Sequence, residues 1–188
     1  MKSEILHLLR RADGYVSGQQ LCETFGVSRT AVWKVINQLK EEGYVIDSVQ
    51  NKGYRITEYP DIITASEIES LLLDDSGNMQ GICRHIQYFD KTDSTNNQAK
   101  LAAEKNAPEG TLFVAECQTG GRGRRGKTWE SPAGSGIWMS LLLRPDISPE
   151  SASMLTLVLA VAMVDAINEE VQDAKCYVKW PNDIVLNN

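Results

Sequence analysis

Histidine, cysteine and long apolar runs are all scarce in this 188-residue chain, and each scarcity removes a class of chemistry. His7 and His85 are the only histidines, too few to expect a histidine-based catalytic triad. The four cysteines, Cys22, Cys83, Cys117 and Cys176, form no C-x-x-C pair and no spacing typical of a disulfide framework. Cys83 and His85 are close, but two ligands without a second pair do not make a zinc site. The longest uninterrupted apolar run, Leu157–Val164, has eight residues, well short of the ~20 that a bilayer requires, so no membrane partner is expected. Ser3–Arg11 is mixed and amphipathic rather than charged-then-apolar, unlike a secretory leader. A reduced, cytoplasmic compartment fits these features best.

What is present is the composition of a folded protein: 42% hydrophobic and 23% charged residues. The length suits one large domain or two small ones. The net charge of −6 is unevenly placed. Residues 1–60 hold eight Lys/Arg against seven acids, and residues 61–188 hold eleven against eighteen. Two parts with different electrostatic tasks follow, and the placement of the charges must decide what those tasks are.

The first part predicts three helices and a hairpin. Ser3–Arg11 carries apolar residues at 5, 8 and 9, and Asp13-Gly14 ends it. Ser17-Gly-Gln-Gln20 is a capping box that opens a second helix burying Leu21 and Phe25, and Gly26 breaks it. Ser28 caps a third helix with apolar positions 32, 35, 36 and 39, terminated by Gly43. Tyr44–Thr57 then reads as strands around a turn at Asn51-Lys52-Gly53. This is the pattern of a winged helix-turn-helix over residues 1–60. With 32, 35, 36 and 39 facing inward, the third helix presents Arg29, Thr30, Trp33, Lys34 and Asn37, side chains able to reach phosphates and base edges. Lys52 and Arg55 near the hairpin tip would add backbone contacts, making operator DNA the expected partner. The alternative is a three-helix protein-interaction module with a solvated basic face.

Glu58-Tyr-Pro-Asp61 reads as a linker, and Thr64-Ala-Ser-Glu67 as a capping box before a helix containing Leu71–Leu73. Residues 61–188 then alternate. Strands are expected at Arg84–Asp90, Thr111–Cys117, Ile137–Leu143 and Cys176–Trp180, with another starting at Ile184–Leu186. Helices are expected at Ser94–Lys105, capped by Ser94, and at Pro149–Val171. Residues 119–136 read as a Gly-rich loop. The whole is an α+β protein: a winged helix followed by a mixed α/β domain with one central sheet.

Thr119–Trp129 is the most informative stretch. Gly121, Gly123 and Gly126 satisfy G-x-G-x-x-G, and Gly121–Thr128 satisfies G-x-x-x-x-G-K-[ST]. Context argues against both templates, because each needs a helix directly after its glycines to bind phosphate. Here Trp129–Gly136 follows, with Pro132, Gly134 and Gly136, and cannot sustain one. The residues still carry chemistry. Six glycines from 120 to 136 allow close backbone approach, and Arg122, Arg124, Arg125 and Lys127 place four cations in six residues. A phosphate ester would order such a loop through charge-assisted bonds.

Gly120–Trp129 resembles the biotin-binding loop of biotin protein ligases. Asp93-Ser-Thr-Asn96 is similar to the segment through which biotin enters in that family, and Lys179-Trp-Pro-Asn-Asp183 resembles its K-W-P-N-D motif. The winged helix in front matches the bifunctional bacterial form, ligase and repressor of biotin synthesis genes in one chain. The resemblance implies that Ser94, Thr95, Asn96, Gln118 and the Gly121–Gly123 backbone hold biotin. Arg122 and Arg124 would close over the carboxylate and the α-phosphate of ATP, Arg125 and Lys127 would assist the departing pyrophosphate, and Trp129 would pack by the adenine. Asn182 and Asp183 would lie on the nucleotide and Mg²⁺ side, and Arg124, Lys179 and Asp183 would form the catalytic set. Residues 61–188 would be the N-terminal part of the catalytic domain, since the family's catalytic lysine and small C-terminal β-barrel are expected beyond Asn188. The partners implied are a biotin carrier protein of a carboxylase, operator DNA and a second copy in a ligand-promoted homodimer. The alternatives are a non-enzymatic, ligand-sensing winged-helix repressor and a P-loop NTPase fused to a DNA-binding domain.

Overall fold

A computed structural model describes the chain except for residues 124, 125, 172–174, 182, 187 and 188. It forms two compact units, Met1–Leu143 and Arg144–Asn188.

The first unit opens with α1 (Lys2–Arg11), α2 (Gly18–Phe25) and α3 (Arg29–Glu41), followed by the antiparallel pair β1 (Val45–Val49) and β2 (Gly53–Glu58). The local signals act as expected. Ser17 Oγ accepts the Gln20 N–H at 3.0 Å, Ser28 Oγ accepts the Ala31 N–H at 3.2 Å, and Gly26 ends α2 in the left-handed region at φ 63°. Ile5, Leu6, Leu9, Leu21, Val32, Val35, Ile36, Leu39 and Ile46 are buried together as one core. Val16 adds a third short strand, exchanging backbone hydrogen bonds with Tyr54 at 2.9 Å each way. Gly53 sits at φ 113° with its α-carbon against the Val16 carbonyl, so no side chain fits there.

The helix after the linker, α4 (Ala65–Leu72), is capped by Thr64, whose Oγ1 accepts the Glu67 N–H at 3.2 Å. The face it buries is small and polar. Leu71 is exposed, and the buried residues are Ser66 and Ser70. Small hydroxyl side chains let α4 pack closely on α1. Glu67 does not fold back to complete a capping box. Its carboxylate accepts Arg10 Nη2 at 2.5 Å and the Tyr44 hydroxyl. His7 Nδ1 donates to the Ser70 carbonyl at 2.7 Å, and the Arg10 guanidinium lies 4.5 Å above the Tyr59 ring.

The α/β part of the unit is built on β4 (Thr111–Ala115), buried along its whole length. It pairs in parallel with β3 (His85–Phe89) and antiparallel with β7 (Trp138–Leu142). Helix α5 (Thr95–Glu104) packs on β4 and β7. The expected loop over 119–136 is in part a ribbon, with β5 (Gln118–Arg122) antiparallel to β6 (Thr128–Ser131). Thr128 and Trp129 supply strand-forming side chains, and Gly121 lets the strands close where it faces Trp129. This ribbon is a sheet of its own, so the single central sheet expected from the sequence is instead a three-stranded sheet with a separate ribbon.

The second unit contains a 3₁₀ turn (Pro149–Ser153), α6 (Met154–Glu170) and the antiparallel hairpin of β8 (Cys176–Lys179) and β9 (Asp183–Leu186). Asn168 ties helix to hairpin by accepting the Cys176 N–H at 2.7 Å and donating to its carbonyl at 3.2 Å. Pro149–Glu170 is long and apolar enough, by length and composition, to cross a membrane. Counting uninterrupted apolar residues missed this, because Thr156 breaks the run without making the helix polar. The core helix of a soluble protein meets the same two criteria.

Candidate functional site

Two of the segments that resemble the biotin site, the one before α5 and the start of the Gly-Arg ribbon, meet at the N-terminus of α5. The segment before that helix is stitched to β5 through backbone bonds: Thr92 N–H to Cys117 O at 3.1 Å, Thr119 N–H to Thr92 O at 2.9 Å and Gly120 N–H to Asp93 O at 2.7 Å. The Gln118 amide lies between them. Its Oε1 accepts the Thr95 N–H at 2.8 Å and Thr95 Oγ1 at 3.2 Å, and its Nε2 donates to Ser131 Oγ at 3.1 Å. Thr95 Oγ1 also meets Ser140 Oγ at 2.9 Å. Ser94, Thr95 and Ser131 are all buried.

Ser94, Thr95, Gln118 and Gly121 are thus brought into one neighbourhood, and Gly123 lies further along the ribbon beside Lys127 and Trp129. Asn96 is exposed in the first turn of α5. Ser94 precedes α5 without a side-chain capping bond, so the expected cap is absent there. Asp93 organises the turn instead. Its carboxylate accepts Asn97 Nδ2 at 2.7 Å and Gln98 Nε2 at 2.9 Å, and these bonds with the Ser94 N–H hold its pKa down to about 2. Sequence reasoning gave Asp93 no role beyond its place in the Asp93–Asn96 segment and overlooked Ser131 and Ser140. An Asp followed four and five residues on by Asn and Gln was a usable signal for the first, whereas single serines in β6 and β7 gave none.

Arg122 and Lys127 are exposed on the ribbon, where the Gly123 N–H donates to the Lys127 carbonyl at 2.8 Å. Trp129 is 59% exposed beside Gly123. Arg124 and Arg125 lie outside the described residues, as does Asn182. No helix follows the glycines, since Thr128–Ser131 is a strand, so neither nucleotide-loop template has its required context. In the second unit Lys179 and Asp183 face each other as register partners of the hairpin, both exposed.

The second candidate surface is on the winged helix. Arg29, Thr30, Trp33 and Lys34 are exposed along α3, Trp33 by 56%, and Asn37 is half-buried. A cleft of about 730 Å³ runs between Arg29, the start of α2 and the hairpin residues 48–54. Lys52 and Arg55 both lie over the Tyr15 ring, at 5.8 and 4.8 Å. Arg55 also pairs with Asp47, its cross-strand neighbour, at 3.0 Å, so part of its charge is spent within the wing.

The architecture defines an α+β protein in which a winged helix-turn-helix precedes a mixed α/β unit with a Gly-Arg ribbon. The sequence model of the biotin/lipoate A/B protein ligase family matches residues 88–188, and that of an HTH domain matches residues 2–55. The chain belongs to the biotin/lipoate A/B protein ligase family. It is 43% identical over 188 residues, all of this chain and 56% of the relative, to the bifunctional ligase/repressor BirA of Bacillus subtilis (strain 168). It is 36% identical over 170 residues, 90% of this chain and 50% of the relative, to the bifunctional ligase/repressor BirA of Escherichia coli (strain K12). A solved structure of biotin protein ligase from Aquifex aeolicus in complex with biotin and ATP aligns with 53% of this chain and 40% of that one, at 36% identity and a TM-score of 0.45. The chain spans about half the length of the curated relatives it matches.

Proposed function

We propose that this chain belongs to an ATP-dependent biotin protein ligase that also represses biotin synthesis genes. The biotin carboxylate attacks the α-phosphate of ATP, forming biotinyl-5′-adenylate as pyrophosphate leaves. The ε-amine of a lysine on the carrier protein of a carboxylase then attacks the mixed anhydride, forming the amide as AMP leaves. Neither step needs an enzyme nucleophile, so catalysis rests on positioning and on charge stabilisation at phosphate. The observation that carries the reading is the Thr95–Gln118–Ser131 network, a part-buried, oriented set of polar groups joining the start of α5 to the Gly-Arg ribbon.

In this reading Ser94, Thr95, Asn96, Gln118 and the Gly121–Gly123 backbone bind biotin. Arg122, Arg124, Arg125 and Lys127 neutralise the carboxylate and phosphates, Trp129 stacks by the adenine, and Lys179, Asn182 and Asp183 serve the nucleotide. Mg²⁺ would arrive with the triphosphate, with Asn182 and Asp183 on its side of the site. Residues 1–60 bind operator DNA through Arg29, Thr30, Trp33, Lys34 and Asn37, with Lys52 and Arg55 at the backbone. The adenylate acts as corepressor by ordering the Gly-Arg segment and favouring a homodimer, in the cytoplasm.

Radiolabelled ATP with biotin tests the reading in the full-length protein. Biotin-dependent formation of adenylate and pyrophosphate is expected. Release of γ-phosphate would indicate an NTPase, and ligand binding without turnover a sensor, and either result would overturn the ligase.

A further inference from the structure

We propose that Ser131 and Ser140 are positioning residues that fix the Gln118 amide in a single orientation for biotin recognition, a role that rests on the ligase reading above. The inference comes from the direction of the hydrogen bonds. A carbonyl oxygen only accepts, so Gln118 Oε1 is identified by the Thr95 N–H that points at it from 2.8 Å. Thr95 Oγ1, 3.2 Å from the same oxygen, must therefore be a donor to it. Having spent its one proton, Thr95 Oγ1 is the acceptor in its 2.9 Å contact with Ser140, and Ser140 is the donor.

The other end of the amide is set the same way. Gln118 Nε2 only donates, so Ser131 Oγ, 3.1 Å away, accepts. The Ser131 proton is turned toward the Trp129 carbonyl at 3.5 Å, which keeps its lone pair facing Gln118. The relay runs Ser140 to Thr95 to Gln118 and on to Ser131 and Trp129. Both acceptor sites of Oε1 are occupied, and among the described residues Nε2 meets only Ser131, so one of its N–H groups faces a ligand in this proposal. A glutamine at the mouth of a polar site can present its oxygen or its nitrogen by a half-turn of the amide. Here a flip would set the oxygen against the Ser131 lone pair and the NH₂ against the Thr95 N–H. Ser131 is 3% exposed and its hydroxyl is held toward the Trp129 carbonyl, so it is the buried partner that distinguishes the two amide orientations.

The test is a double-mutant cycle on biotin binding by calorimetry in the full-length protein, with Ser131→Ala, Ser140→Ala and Gln118→Ala. Ser131→Ala is expected to weaken biotin about five- to tenfold, and Ser140→Ala by less, while ATP affinity measured on the same samples is unchanged. In the Gln118→Ala background both serine changes should lose their effect on biotin. Equal losses with and without Gln118 would overturn the relay, because the serines would then act independently of the amide. Unaltered biotin affinity in Ser131→Ala would overturn it too, as would a parallel loss of biotin, ATP and thermal stability, which marks a merely structural role. If the unaltered protein binds no biotin, the ligase reading falls and the positioning role falls with it, a result distinct from additivity.

Discussion

Tyr44→Phe deletes one oxygen from the seam between the winged helix and α4, and its cost can be worked from the contacts. The Tyr44 side chain is 2% exposed, and its hydroxyl donates to Glu67 Oε2 while Arg10 Nη2 holds Oε1 at 2.5 Å. A hydrogen bond to a charged acceptor contributes about 1.5–3 kcal/mol. The lower end applies, because the Glu67 side chain is 16% exposed and water can replace part of the lost donor. A loss of about 1.5–2 kcal/mol lowers the melting temperature of a domain this size by roughly 3–8 °C. Circular dichroism melts of Tyr44→Phe, Glu67→Gln and the double variant should reveal coupling of about 1 kcal/mol or more. Burial, then Glu67, also pushes the Tyr44 hydroxyl well above its ordinary 10.0. A group whose folded pKa is raised stabilises fully below its unfolded value, so this contribution begins to fall only above about pH 10. A Tyr44→Phe melt superimposable on that of the unaltered protein, or strict additivity in the double variant, would refute the reasoning.

Four further outcomes are expected. Asp93, held at about 2 rather than 3.8, stabilises the fold above pH 3.8 and loses that contribution as the pH falls toward 2, so Asp93→Asn should flatten the acid limb of the melting-temperature profile. Gly121→Ala puts a β-carbon 2.8 Å from Ser131 Oγ and closer still to the Trp129 carbonyl, so biotin affinity should drop at least tenfold, roughly 1.4 kcal/mol, whereas Gly14→Ala meets nothing within 4 Å and should bind normally. Arg29→Ala and Lys34→Ala should each weaken operator binding and reduce its salt slope by about one, with biotin uptake unchanged; intact DNA affinity in both would favour a protein-interaction role for α3. Arg124→Gly should still form the adenylate but retain it roughly ten- to a hundredfold less well, the cost of one charged hydrogen bond, as read from leakage of labelled intermediate.

The winged helix was legible because its instructions are local. Ser17 and Ser28 cap helices that begin beside them, Gly26 and Gly43 stop them, and residues 32, 35, 36 and 39 form a stripe in the sequence itself. The Gly-Arg segment was legible in its chemistry but not in its shape. Its ribbon is made by pairings such as Gly121 with Trp129 and Arg122 with Thr128, and glycines carry no strand signal of their own. Helix α4 was legible from its Thr64 cap, but its packed side, Ser66 and Ser70, was not, because it is chosen by how closely α1 approaches. Ser131 and Ser140 became visible only when tertiary pairing brought two distant strands to Gln118 and Thr95. Such residues are set by neighbours far away in sequence, and no window along the chain contains them.

The seam at α4 also bears on inheritance. Glu67 lies outside the residues that match an HTH domain, 2–55, yet it supplies the counter-charge for Arg10 and the acceptor for Tyr44, both inside that span. A chimera joined at Pro60 would set a foreign helix against these two side chains and leave a half-buried guanidinium without its carboxylate. One joined after Leu72 would carry the matching carboxylate along. Recombination among relatives should therefore preserve Arg10, Tyr44 and Glu67 as a linked trio, and the segment that travels as a winged-helix cassette is longer by one helix than its sequence signature.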